Sequence, residues 1–195
     1  MKMKGFALPI VLILVAVLAI TILLFSSFQK LTVNQLQARR LSEARDNLVV
    51  KIRNAGSLAA SLRNSLGNNP ALAACVGGAC VVGKTIPLTL SGPQVGSGVI
   101  AGPAPNGQLY DIWENPCAGG SPLTCPLSVT SDFTYQCPGG LCGIQVGFTV
   151  QKTPGSLYPG IIASQSGPPP APVPVACIKL TGPTLLGQST PANCY

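Results

Sequence analysis

From Phe6 to Phe25 the chain is an almost unbroken apolar run, FALPIVLILVAVLAITILLF. At about 1.5 Å per residue, such a run makes a helix roughly 30 Å long, the thickness of a bilayer's hydrocarbon core. Fifteen of its residues are Leu, Ile, Val or Phe. At about −0.3 to −0.6 kcal/mol each, they favour insertion by on the order of −5 to −9 kcal/mol. A cleavable secretory signal has a shorter apolar core, about 7–15 residues, ending in a small-x-small site. Phe25-Ser26-Ser27-Phe28 is a poor site of that kind. The pattern therefore predicts a retained transmembrane helix over 6–25. Lys2 and Lys4 precede it, and Lys30, Arg39 and Arg40 follow it. The short leading tail dominates such conflicts, which places the N-terminus in the cytoplasm and the rest outside.

No breaker follows the apolar run. Between Ser26 and Leu66 there is no Pro and a single Gly, Gly56. Leu41, Leu48, Ile52, Ala55, Ala59, Leu62 and Leu66 recur at helical spacing, with most of the charged side chains on other faces. The expectation is an amphipathic helical stalk over 26–69 that ends near Gly67-Asn68-Asn69-Pro70, where Gly and Pro together mark a terminus. Its basic excess suits lipid headgroups or DNA. The reading preferred is a solvated or subunit-facing side of the stalk.

Beyond Pro70 the period changes to short alternating segments between Gly/Pro turns. Val81–Leu90, Leu109–Trp113, Ser128–Cys137, Gly143–Gln151 and Val175–Thr181 are predicted strands. The third and fourth flank Pro138-Gly139-Gly140-Leu141 and form a hairpin. Its apolar face alternates Phe133, Tyr135 and Cys137 with Ile144, Val146, Phe148 and Val150. That face should pack on the stripe of the stalk. Gly155 to Pro174 is expected to be loop, Pro-rich over 168–174 and of extended polyproline geometry. The fold class is thus α+β: a long N-terminal helix, transmembrane then amphipathic, packed on a small antiparallel β-sheet in a disulfide-rich domain over 70–195.

Composition narrows the chemistry. The chain has 195 residues, eight Cys and no His, with Gly and Pro abundant. A Ser-His-Asp or Cys-His catalytic site is impossible, as is a His-containing zinc site. The net charge is +7, but nine of the twelve basic residues lie at or before Arg63. The outer domain is close to neutral, unlike a globular nucleic-acid reader. Asp111 and Glu114 are the nearest thing to a paired-carboxylate site, and turn residues are the simpler reading. No catalytic residue, metal site or cofactor is assigned. An even Cys count in a Gly/Pro-rich chain points to disulfides and an oxidising compartment. The Cys fall in sequential couples, Cys75/Cys80, Cys117/Cys125, Cys137/Cys142 and Cys177/Cys194, each bracketing a turn-rich stretch. Neighbour pairing is the favoured connectivity among the 105 that eight Cys allow. Gaps of this length without His do not match a zinc ribbon, and no Cys-x-x-Cys redox motif occurs.

The stretch Lys2-Met3-Lys4-Gly5-Phe6-Ala7-Leu8-Pro9, opening a long apolar helix, resembles the class III leader of type IV pilins and type II secretion pseudopilins. The resemblance implies a leader over 1–5, cut by a prepilin peptidase between Gly5 and Phe6, with methylation of the new N-terminal Phe6. It also implies an inner-membrane subunit with a periplasmic domain, assembled with other pilin or pseudopilin subunits into a filament that can reach the cell surface. The Cys177/Cys194 couple resembles the C-terminal disulfide loop of many type IV pilins. One position departs from the pattern. The family usually carries Glu as the fifth residue after the cut, and here Ile10 stands there. Tip-type minor subunits share that gap, which implies a minor pilin or pseudopilin that starts or caps a filament serving adhesion, motility, DNA uptake or secretion. The other readings are a single-pass anchored binding domain outside any filament and a periplasmic enzyme.

Overall fold

The computed structural model describes residues 7–117, 121–138, 142–158 and 164–179. Helix α1 spans Ala7–Gly56, fifty residues in one piece, or roughly 75 Å at 1.5 Å per residue. Its two halves have opposite surroundings. From Val11 to Leu36 every residue is exposed. From Leu41 onward one stripe (Leu41, Leu48, Ile52) is fully buried and forms one wall of the core.

The expected helix end near Gly67 is corrected by the structure, which ends α1 at Gly56. A Cβ on Gly56 would sit 3.2 Å from the Val146 Cβ, so the bare glycine lets the helix end close onto the sheet. Leu58 then takes an extended conformation, and a short helix α2, Ala59–Ser65, follows. Gly and Ser are weak helix formers, and the packing on Val146 decides where the break falls. A 3₁₀ turn over Leu66–Asn68 leads into α3, Pro70–Ala74, with Pro70 in its first turn. A wider turn, Cys75–Ala79, completes this arm.

The other core wall is an antiparallel sheet. Its centre is the hairpin of β5, Leu127–Gln136, and β6, Gly143–Lys152, in register from Leu127 opposite Lys152 to Gln136 opposite Gly143. Phe133 lies opposite Val146 and Val129 opposite Val150, all four fully buried against the helical arm. β1, Thr85–Pro87, and β4, Gln108–Tyr110, pair with different stretches of β5. β2, Leu90–Ser91, and β3, Val99–Ala101, form a separate two-stranded sheet. Tyr110 ties the two sheets together, its hydroxyl donating to the Ile100 carbonyl at 2.8 Å. Burial pushes that phenol's pKa up to about 12.

Three expected strands are revised. Val81–Leu90 divides into β1 and β2, with the turn-forming Pro87 ending the first. Leu109–Trp113 narrows to β4, because Asp111 turns the chain away. Val175–Thr181 is not a strand over its described part. Val175–Lys179 is helix α4. The Arg63 side chain reaches it, Nη2 donating to the Cys177 carbonyl at 3.0 Å and Nε to the Ile178 carbonyl at 3.3 Å. That interaction supplies acceptor carbonyls at a helix C-terminus with a cation, a partnership no local pattern displays. Leu180 and Thr181 lie outside the described residues. The supposed loop before α4 also contributes two short strands on β6, β7 (Gln165–Ser166) and β8 (Val173–Pro174).

The sheet's outer face is polar and half-buried. There Asp132 lies opposite Gly147, its carboxylate in contact with the space a Cβ would fill. Desolvation raises the Asp132 pKa above the ordinary 3.8. A raised folded-state pKa means that ionisation opposes folding, so wild-type stability rises as pH falls through that pKa towards 3.8. Asp132→Asn is therefore expected to raise the unfolding midpoint slightly near neutrality. The gain should fade as the pH falls through the raised folded-state pKa and be gone below 3.8. Paired denaturant titrations across that range check both the sign and the window.

Candidate assembly surface

The exposed half of α1 is the most unusual surface of the molecule. Soluble domains rarely leave a contiguous apolar patch of this extent facing water. The helix is long and apolar enough to cross a membrane, and none of its apolar window is buried within the protein. Gly5 and Phe6, the expected processing residues, lie outside the described residues, as do Ala118–Gly120, Gly139–Leu141, 159–163 and 180–195.

Where the bare helix meets the domain, the head presents an apolar rim. A turn following β4 carries Trp113, 68% exposed. Asp111 holds the turn: its Oδ1 accepts from the Trp113 N–H at 2.8 Å and the Asn115 N–H at 2.9 Å, and its Oδ2 accepts from the Asn115 amide at 3.1 Å. This is the Asx arrangement that Asp favours in turns. Glu114 adopts φ +64°, uncommon for a residue with a side chain, and its Oε1 accepts from the Asn47 amide of α1 at 2.8 Å. A hydrogen bond to the helix thus fixes the turn at the site of its backbone strain. The two carboxylates of the sequence pair are held in turn geometry.

Arg40, Glu43, Ala44 and Asn47 of α1 face Ile112, Trp113 and Glu114 across a groove of about 440 Å³. One helical turn nearer the apolar run, Gln37 meets Leu123, Leu157 and Tyr158 around a second recess of about 340 Å³. Leu157 is 80% exposed. The Cys117–Cys125 disulfide links the Trp113 turn to the Leu123 loop, so the two recesses share one braced rim. Sequence reasoning placed Trp113 at a strand end and missed this rim. The available signal was the chain's single Trp beside an Asp-x-x-Glu-Asn-Pro turn.

Cys75–Cys80, Cys117–Cys125 and Cys137–Cys142 form disulfides. Cys177 is also disulfide-bonded. Its expected partner, Cys194, lies outside the described residues. Cys137–Cys142 spans the hairpin's turn, and Cys75–Cys80 closes the wide turn after α3. Farther along the helical arm, Asn69 joins the arm to the segment before β2. Its amide donates to the Thr89 carbonyl at 2.8 Å while its Oδ1 accepts from the Thr89 N–H at 2.7 Å. Among the described residues, no group of three or more His, Cys, Asp or Glu is placed to hold a metal ion. No family model matches the chain, and neither a curated protein nor a solved structure shows significant similarity to it.

Proposed function

We propose that the protein is a minor subunit of a type IV pilus-like or pseudopilus-like filament, anchored in the inner membrane by α1 and helping to start or cap the assembly. The observation that carries this reading is the single uninterrupted α1, bare and apolar along one half and built into the core of a disulfide-braced domain along the other. A removable signal has no reason to continue into the domain's own core wall. A retained spine does. Disulfides agree with a domain displayed in an oxidising compartment. The Lys2–Pro9 stretch supplies the expected partners: prepilin peptidase first, then other pilin or pseudopilin subunits. The role is structural, and the residues that perform it are apolar contacts.

Ile10, in place of the usual Glu, supports a terminal position in the filament. A carboxylate buried in an apolar helix needs a partner cation, and a subunit with nothing ahead of it has none. Immunogold labelling of sheared filaments should find the wild-type protein rarely and at ends. Ile10→Glu should distribute it along shafts. Abundant wild-type labelling along shafts would overturn the terminal assignment. The exposed Trp113 groove favours the second reading, an anchored binding domain that never enters a filament. That reading predicts a chain that keeps Met1–Gly5.

A further inference from the structure

Between the apolar run and the head, α1 stays nearly uncharged. From Ala7 to Leu36 its only charged residue is Lys30, and Phe28, Leu31, Val33 and Leu36 are each more than half exposed. At about 100° per residue these four point to different sides of the helix, so no one packed neighbour covers them all. Ser26 and Ser27 donate their hydroxyls to the Leu23 carbonyl and Thr32 to the Phe28 carbonyl, each at 2.9 Å, so these groups ask little of their surroundings. The stretch from Ala7 to Leu36 makes about 45 Å of helix. That is too long for a hydrocarbon core of about 30 Å and matches a whole bilayer, about 40–45 Å with its headgroups. The head begins where this stretch ends. Gln37, the next residue, meets Leu123, Leu157 and Tyr158, and none of the four is charged at neutral pH.

We propose that the rim formed by Trp113, Leu123 and Leu157 docks on the phospholipid headgroup layer of the leaflet through which α1 leaves the membrane. The proposal rests on the reading of α1 as a retained membrane anchor, and continuity with that anchor names the occupant: the rim stands beside the helix where a bilayer's length of it has just ended. Transmembrane helices lean by about 20° on average and by up to about 40°. At a lean of about 25°, the stretch to Leu36 rises about 41 Å, and a loop about 10 Å out from the axis on the leaning side dips about 4 Å lower. That brings the rim into a headgroup layer about 5–8 Å deep. Trp113 and Leu157, 68% and 80% exposed, suit that layer, where Trp and Tyr side chains collect. Lys30, Arg39 and Arg40 precede Glu43, the first acidic residue of the chain, and match anionic headgroups. The carboxylates on the rim are already engaged, Asp111 by its own turn and Glu114 by Asn47. The Cys117–Cys125 disulfide makes the rim meet the surface as one unit. Docking of this kind sets the lean and rotation of α1 and lays the head on the leaflet.

The chain's single Trp is the probe. Full-length protein is reconstituted into vesicles of phosphatidylethanolamine and phosphatidylglycerol that carry phospholipids spin-labelled at the headgroup or at the end of the acyl chain. Trp113 emission should be quenched strongly by the headgroup label and weakly by the chain-end label. Trp113→Phe combined with Val95→Trp moves the probe to the β2–β3 loop, which Asn64 of α2 holds, and there it should escape both labels. Leu123→Asp combined with Leu157→Asp, at positions exposed in the wild type, should lose most of the Trp113 quenching while the far-UV spectrum stays unchanged. Unquenched Trp113, equal quenching at position 95, or quenching that survives both Asp exchanges would each overturn the proposal. So would a Trp113 shielded from aqueous acrylamide yet untouched by the lipid labels, because a protein partner would then cover the rim. Flotation of the same vesicles separates this failure from that of the anchor reading. Protein that floats with an unquenched Trp113 rejects the docking alone, whereas protein that does not float rejects the anchor as well.

Discussion

Replacing both Leu14 and Leu18 by arginine should release the protein from the membrane. Each exchange removes a leucine worth about −0.3 to −0.6 kcal/mol and adds an arginine costing about +2.5 to +3.5 kcal/mol near the bilayer centre. The pair therefore costs about 6–8 kcal/mol, against an insertion preference on the order of −5 to −9 kcal/mol for the whole run. Both positions are exposed and make no contact with the head, so the domain's own folding is untouched. Alkaline carbonate extraction followed by sedimentation should find the wild type in the pellet and the double variant in the supernatant, or poorly exported. A double variant that sediments as the wild type does would show that α1 is not the anchor.

The second large effect lies in the core. Phe133 is fully buried at the centre of β5, between the hairpin partner Val146 and the helical arm. Phe133→Ala removes most of an aromatic side chain from a site walled by secondary structure on both sides, where collapse is limited. A loss of about 3–5 kcal/mol is expected. For a head of this size that is a fall in the thermal midpoint on the order of 10–20 °C. Val50→Ala, on the exposed face of the same helical arm, should change stability by less than about 0.5 kcal/mol. Thermal unfolding of both variants in detergent, with disulfides intact, makes the comparison. Equal effects would mean that the α1–hairpin contact is not the principal core.

The parts legible in the sequence were those whose signal is periodic and local. The apolar run, the stripe through Leu41, Leu48 and Ile52, and the alternating hairpin each repeat with the period of the element they form, and each buries or exposes the side its pattern names. The parts not legible depend on distant partners. Val175-Ala176-Cys177-Ile178-Lys179 has strand-like composition, and it is helical where Arg63, more than a hundred residues away, receives its carbonyls. Gly56 looked like one tolerated glycine in a long helix, and Val146 makes it the end of that helix. β7 and β8 arise from a Pro-rich stretch because β6 offers them an open edge. The Trp113 rim is of the same kind. Its geometry needs an Asx turn, a strained Glu114 and Asn47 of α1 brought together from separate parts of the chain.

The central claim, that the apolar helix remains part of the working protein, is tested most directly by the intact mass and N-terminal sequence of the native chain extracted from cell envelopes. The account predicts a membrane-associated polypeptide that lacks Met1–Gly5, begins with N-methylated Phe6 and keeps the whole apolar run. A native chain that begins at Ser27 or later and is recovered in the soluble fraction would contradict it.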